Sequence, residues 1–121
     1  MERLTKPEEE TMQVIWRTNG GFIKDFLEHL PAPQPPYTTL ASTVKKLEQK
    51  GFIQSEKLGY SYRYTPLIQE KDYSRSFMSN FIGDYFQNSY KELVSFFAQE
   101  QQIGAAELQE IIEMIEKRKS E

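Results

Sequence analysis

The tightest constraint in this sequence is the run from Tyr37 to Pro66, where a helical pattern passes straight into a strand–turn–strand pattern. Leu40, Val44 and Leu47 recur at helical spacing, so one face of the segment can be buried while its hydroxyl- and lysine-rich remainder stays wet. Gly51 offers the left-handed backbone on which helices commonly end. Phe52 and Ile53 then open a strand, Leu58-Gly59 breaks it, and Tyr60 to Tyr64 alternate in a second strand that Pro66 ends. The other segments must supply what holds this helix and hairpin up.

Upstream, Thr5-Lys6-Pro7-Glu8 is a capping box, with a threonine hydroxyl for a free amide and a glutamate reaching back. Pro7 fits the first turn, and Glu8, Glu9 and Glu10 suit the positive end of the helix dipole. Met12, Ile15 and Trp16 form the buried face with Val14 at its flank, and Trp16 reads as a core anchor. Asn19-Gly20-Gly21 ends this helix. A second follows on Phe22, Phe26, Leu27 and Leu30, with Ile23 beside them and Lys24, Asp25 and Glu28 on the wet side. The segment Pro31 to Pro36 holds four prolines and reads as a stiff connector.

Helix, helix, connector, helix, hairpin is the order of a winged helix-turn-helix, placed here over residues 1–67. In that arrangement the third helix enters the DNA major groove and the wing reaches the neighbouring backbone or minor groove. With Leu40, Val44 and Leu47 inward, Thr38, Ala41, Ser42, Lys45 and Gln49 face out, and Thr39 and Lys46 lie at the edges. Hydroxyls near a helix N-terminus suit phosphate oxygens or base edges, Ala41 suits a thymine methyl, and Lys45 and Lys46 suit phosphates. In the wing Tyr62 and Tyr64 are expected to pack inward, leaving Ser61 and Arg63 on the other face for DNA. The candidate DNA-binding residues are therefore Thr38, Thr39, Ala41, Ser42, Lys45, Lys46, Ser61 and Arg63. A net charge of −3 does not oppose this, because Thr38 to Thr65 holds 5 basic residues against 2 acidic.

After Pro66 the character changes, and residues 68–121 read as a helical dimerisation region. Tyr73, Phe77, Phe81 and Tyr85 recur at four-residue steps over a long helix spanning 69–88, with Met78, Ile82 and Phe86 on the adjacent face. A shorter helix carries Tyr90, Leu93, Val94 and Phe97. After Ile103-Gly104 a last one carries Leu108, Ile111, Ile112 and Ile115 and ends in Lys117-Arg118-Lys119. Such helices lack a core of their own, and a two-fold dimer would set two recognition helices onto a pseudo-palindromic site. The candidate dimerisation residues are Phe77, Phe81, Tyr85, Leu93, Phe97, Leu108, Ile111, Ile112 and Ile115. The fold class is thus mostly α with one small β-hairpin.

With these residues in place, the chain resembles the penicillinase-repressor family, the winged-helix repressors of β-lactamase and methicillin-resistance genes. The resemblance rests on Leu4-Thr5, the stretch from Glu10 to Trp16, Thr38-Thr39-Leu40, the run from Lys46 to Ile53, and Tyr62 to Leu67, with 93–115 resembling the last two helices. It implies a homodimeric repressor on double-stranded operator DNA, released when a membrane-bound sensor protease causes cleavage in the C-terminal region. The family's Asn-Phe scissile pair falls on Phe96-Phe97, so the position of a proteolytic switch is kept while its asparagine is replaced. The family's copper-sensing branch carries a C-terminal cysteine cluster, and this chain has no cysteine.

The rival reading is a winged helix used as a protein-interaction module, which would not need basic charge on its third helix and wing. An enzyme is not expected. One histidine, His29, and no cysteine leave no metal-ligand set, and there is no glycine-rich phosphate loop and no pair of carboxylates with a plausible pocket. No cofactor is implied. Without a signal-like or membrane-spanning apolar run, the expected location is cytoplasmic, with no direct membrane insertion.

Overall fold

Thr5 and Glu8 cap each other at the start of α1 (Lys6–Thr18): the Thr5 N–H donates to Glu8 Oε1 at 2.8 Å, and the Glu8 N–H donates to Thr5 Oγ1 at 3.4 Å. The computed structural model describes residues 1–119, and of Lys119 only the backbone. The side chain of Lys119, expected to complement a helix dipole, and residues 120 and 121 lie outside the described residues. Then follow α2 (Ile23–His29), α3 (Tyr37–Gln49), β1 (Ile53–Leu58), β2 (Ser61–Pro66), α4 (Glu70–Phe86), α5 (Tyr90–Gln99) and α6 (Ala105–Lys119).

The chain divides into two compact units, residues 1–77 and the remainder from Met78. The first unit is built around one hydrophobic cluster. Met12, Val14 and Ile15 of α1, Phe26 and Leu30 of the α2 segment, and Leu40, Val44 and Leu47 of α3 meet Phe52 and Ile53 there. Leu4 and Tyr73 close its edge. The face read for α3 is the one buried, whereas in α1 Val14 is buried and Trp16 only half-buried, and of the residues read for α2 Phe26 and Leu30 are buried while Phe22 and Leu27 are half-buried. Trp16 is half-buried, packs its ring near that of Tyr73 (centroids 5.9 Å apart) and donates its indole N–H to the Ile68 carbonyl at 2.8 Å. That bond satisfies a polar atom that burial would otherwise penalise.

Two glycines fix how the hairpin meets the helices. Gly20 follows Asn19, the left-handed C-cap of α1, and has φ +98°; a Cβ there would lie 2.4 Å from the Tyr64 carbonyl oxygen. Gly21 forms an antiparallel bridge to Tyr64, with N–H···O bonds of 2.9 and 2.8 Å in the two directions. The wing is thus tied to the α1–α2 turn as well as to α3. Its strands pair antiparallel from Ile53↔Pro66 to Leu58↔Ser61, joined by the two residues Gly59 and Tyr60. Two strand ends differ from expectation. Phe52 precedes β1, where its carbonyl accepts from the Leu67 N–H at 2.8 Å, and Tyr60 sits in the turn and not in β2.

Sequence character breaks at Pro66, whereas the first unit runs on to Phe77 because the start of α4 packs with it. Tyr73 lies 5.7 Å from Phe52 by ring centroids, and Phe77 lies 6.4 Å from Tyr73 with the Arg3 guanidinium 5.6 Å from its ring. In the second unit the aromatic rings form a chain of neighbours: Phe81 with Tyr85 and Phe86, Phe86 with Phe96, Phe96 with Phe97. Ser89 caps α5 by accepting from the Glu92 N–H at 3.1 Å.

Candidate nucleic-acid interface

The outward face of α3 is fixed by what the inward face buries. Leu40, Val44 and Leu47 are at most 2% exposed. Thr38, Thr39, Ser42, Lys45, Lys46 and Gln49 are all exposed, and Ala41 is half-buried. Among the described residues, the side chains of Thr38, Ser42, Lys45 and Lys46 form no hydrogen bond or ion pair within the chain, so their donors are turned to solvent. Thr43, one turn in, instead donates its hydroxyl back to the Thr39 carbonyl at 3.2 Å.

Polar bonds hold the C-terminal end of this helix in place. At its C-terminus Lys50 Nζ donates to Glu8 Oε1 at 2.8 Å, tying α3 to the cap of α1 across 42 residues of sequence. Burial alone would raise the Glu8 carboxyl, but the Lys50 ammonium and the Thr5 N–H and hydroxyl outweigh it and hold the pKa below the usual range. Ser55 of β1 donates to Glu48 Oε2 at 2.5 Å, fixing the wing against the same end of α3. The helix that would read DNA is therefore braced by a part-buried ion pair and a hydroxyl bond, a rigidity that specific recognition needs.

The hairpin divides the candidate wing residues differently from expectation. Residues opposite one another share a face, so Ser55 and Tyr64, and Lys57 and Tyr62, lie on one side. Glu56 and Arg63, and Leu58 and Ser61, lie on the other. Tyr64 packs against the core, and burial first, then the Glu48 carboxylate and Tyr37, push its phenol above the ordinary value. This is the face turned to α3. The expectation that Tyr62 packs inward is corrected: it shares the side of Tyr64 but is 49% exposed, because the hairpin has by then run past the core. Ser61 is exposed and Arg63 half-buried on the opposite face. The structure therefore brings Thr38, Ser42, Lys45 and Lys46 together on one surface, while Ser61 and Arg63 lie on the hairpin face opposite Tyr62 and Tyr64.

Lys24, Tyr37 and Tyr60, to which the sequence assigned no DNA contact, join Ser61 and Tyr62 in the gap between wing and helices. An open furrow of about 520 Å³ is lined by Lys24 of α2, Tyr37 at the start of α3, and Leu58, Tyr60, Ser61 and Tyr62 of the hairpin. Tyr60 is 105% exposed. The signal available in the sequence was an aromatic residue in a two-residue turn, where no core can reach it.

The candidate dimerisation residues fall into two groups. Phe77 packs within the first unit, as described above. In the second, Phe81, Leu93 and Leu108 are half-buried, whereas Tyr85, Phe97, Ile111, Ile112 and Ile115 are between 38% and 68% exposed. Phe96 and Phe97 lie within α5, 47% and 38% exposed. Among the described residues no group of three or more His, Cys, Asp or Glu side chains is placed to hold a metal ion, and no helix is long and apolar enough to cross a membrane.

Comparison with known proteins gives a consistent picture. The penicillinase repressor family model matches residues 4–117. The methicillin resistance regulatory protein MecI of Staphylococcus aureus (strain N315) is 22% identical over 116 residues, covering 95% of this chain and 94% of that protein. The penicillinase repressor of Bacillus licheniformis is 24% identical over 119 residues, covering 98% and 93%.

Proposed function

This chain belongs to the penicillinase repressor family of transcriptional repressors, and from that premise we propose that it acts as a homodimer on a pseudo-palindromic DNA operator. Each α3 lies in a major groove, with Thr38, Thr39, Ala41 and Ser42 at base edges or nearby phosphates and Lys45 and Lys46 on phosphates. The wing lies alongside, with Ser61 and Arg63 on backbone phosphates. The observation that carries this reading is the surface of α3: exposed hydroxyls and lysines without internal partners, on a helix whose other face is locked into the core.

Dimerisation is assigned to the second unit, where Phe81, Tyr85, Leu93, Phe97, Leu108, Ile111, Ile112 and Ile115 present the apolar surface. Apolar area of this extent stabilises by being covered, and a second copy is the economical cover for a protein reading a two-fold site. Release by a membrane sensor protease rests on the resemblance alone. The Phe96–Phe97 bond is inside a helix, so a protease acting there must first unwind α5.

The test is a gel-shift or anisotropy titration against the intergenic DNA upstream of the chain's own coding sequence, at two salt concentrations and with non-specific competitor. Saturable, competitor-resistant binding that weakens steeply with salt supports the reading, and footprinting then gives the operator. The double variant Lys45→Ala with Lys46→Ala should weaken binding and flatten the salt dependence, whereas Thr39→Ala or Ser42→Ala should change sequence preference. Affinity equal to that for random duplex would instead favour the protein-interaction module.

A further inference from the structure

A DNA role confined to α3, Ser61 and Arg63 leaves the tyrosines of the wing without a purpose. Tyr60, Tyr62 and Tyr37 are 105%, 49% and 52% exposed, and their rings keep apolar surface in water that the fold does nothing to cover. They are not scattered. All three line the furrow between the hairpin and the α2–α3 segment, and among the described residues Lys24 is the one charged side chain on its wall and no carboxylate lines it. The furrow also opens at the start of α3, since Tyr37 directly precedes Thr38 and Thr39 on the proposed groove-reading surface.

We infer that this furrow seats the sugar–phosphate backbone of one DNA strand, with Lys24 and the hydroxyls of Tyr37 and Tyr62 at the phosphates, and Tyr60 reaching past the strand into the minor groove. The inference rests on the reading of α3 as the helix in the major groove. A lysine suits a polyanion, and a tyrosine suits a strand that alternates apolar sugar with anionic phosphate, since its ring packs on one and its hydroxyl donates to the other. Tyr60 stands at the tip of a hairpin held at its base by Gly21 and by Glu48, so its ring is presented by a braced arm. Large side chains carried into a minor groove act as non-ionic contacts to sugars and base edges. The cause of strand choice is thus divided: α3 contributes the ionic and base-edge contacts of one groove, and the furrow contributes shape and ring contacts at the next.

The full-length chain is titrated against a fluorescein-labelled duplex that it has selected from a random pool, at two salt concentrations, with ethylation interference on both strands. Tyr60→Ala should weaken binding roughly fivefold or more with an unchanged salt slope, since the lost contact is non-ionic, while Tyr60→Phe retains most of the affinity. Lys24→Ala should lower the salt slope by about one and remove interference at a phosphate beside the minor groove. Neither side chain is buried, so both variants should melt like the wild type, and lost folding is not an alternative cause. Wild-type affinity in Tyr60→Ala together with an unchanged interference pattern in Lys24→Ala overturns the inference. The variant Lys45→Ala with Lys46→Ala separates the two levels. If it weakens binding while the furrow variants do not, only the furrow falls; if it too binds as wild type, the reading of α3 falls with it.

Discussion

Residues 1–77 bury twelve hydrophobic side chains in one cluster, whereas the described residues from Met78 onward bury Ile82 and no other. The two regions differ little in the kind of residue they contain. The second carries Phe81, Phe86, Phe96 and Phe97 and a run of isoleucines, yet of these only Ile82 is buried, and Phe96, Phe97, Ile111, Ile112 and Ile115 are 38% to 50% exposed. What differs is closure. Three helices and a hairpin enclose a core from all sides, and α5 and α6 have no such layer over their apolar faces. The first unit closes its core within the single chain, while in the proposed dimer the apolar faces of the second would be covered by a partner and its stability would depend on concentration.

The same truncation made in both regions tests this most strongly. Phe52→Ala, at a side chain with no exposure, should cost about 3–5 kcal/mol and unfold much of the first unit at ordinary temperature. Phe97→Ala, at 38% exposure, should cost less than about 1 kcal/mol in dilute protein. Urea melts followed by circular dichroism at two protein concentrations measure both. A large, concentration-independent loss in Phe97→Ala would break the comparison.

Charge placed on α6 sharpens it. Ile111→Asp with Ile115→Asp should leave the first unit's melt in place but weaken self-association by about 3 kcal/mol, roughly a hundredfold in the dimer Kd. Sedimentation equilibrium measures that shift. Unchanged mass against concentration would remove these positions from the interface.

The ion pair between Lys50 and Glu8 gives a smaller effect, confined to the first unit. Lys50→Ala strands a carboxylate that is 3% exposed, and should cost about 2 kcal/mol, less than for a fully enclosed pair because Lys50 keeps 22% of its surface in water. Its pH signature follows from the lowered pKa of Glu8. Stability from a depressed carboxylate is present above the ordinary value of 4.5 and is lost as pH falls through the folded-state value. Thermal melts across that window should fall more steeply in the wild type than in Glu8→Gln.

Much of this contrast was legible in the sequence, because helical periodicity reports which residues want burial. Leu40, Val44, Leu47, Met12, Ile15 and Phe26 are buried as their spacing implied, and the capping box at Thr5 and the break at Gly51 are local chemistry that needs no tertiary context. Periodicity does not say what will cover a face. Phe77 shares its spacing with Phe81 and Tyr85, yet it packs on Tyr73 and Arg3 in the first unit. Alternation in the wing likewise paired Tyr62 with Tyr64, and only the point where the hairpin leaves the core separates their burial. The furrow left only one trace in the sequence, the aromatic Tyr60 in a two-residue turn, since Lys24, Tyr37 and Tyr60 are far apart and belong to three different local patterns.

Tyr73 and Tyr85 stand twelve residues apart on α4 and carry the contrast down to one hydroxyl. Tyr73 is 8% exposed and donates to Glu9 Oε2 at 2.8 Å. Burial first, and then the hydrogen bond to that carboxylate, push its pKa up from 10.0 to about 12. A phenol whose folded pKa is raised contributes stability that is complete below the unfolded value and is lost as pH climbs through the folded one. The wild type should therefore lose stability between about pH 10 and 12, and Tyr73→Phe should lose less across that window. Near neutrality the same change should cost only about 1 kcal/mol, because Glu9 is part-exposed and water can replace the lost donor. Tyr85 is 68% exposed, so Tyr85→Phe should leave the alkaline melt as it is. Equal alkaline behaviour in the two variants would mean that α4 meets the first unit no more closely at Tyr73 than it meets solvent at Tyr85.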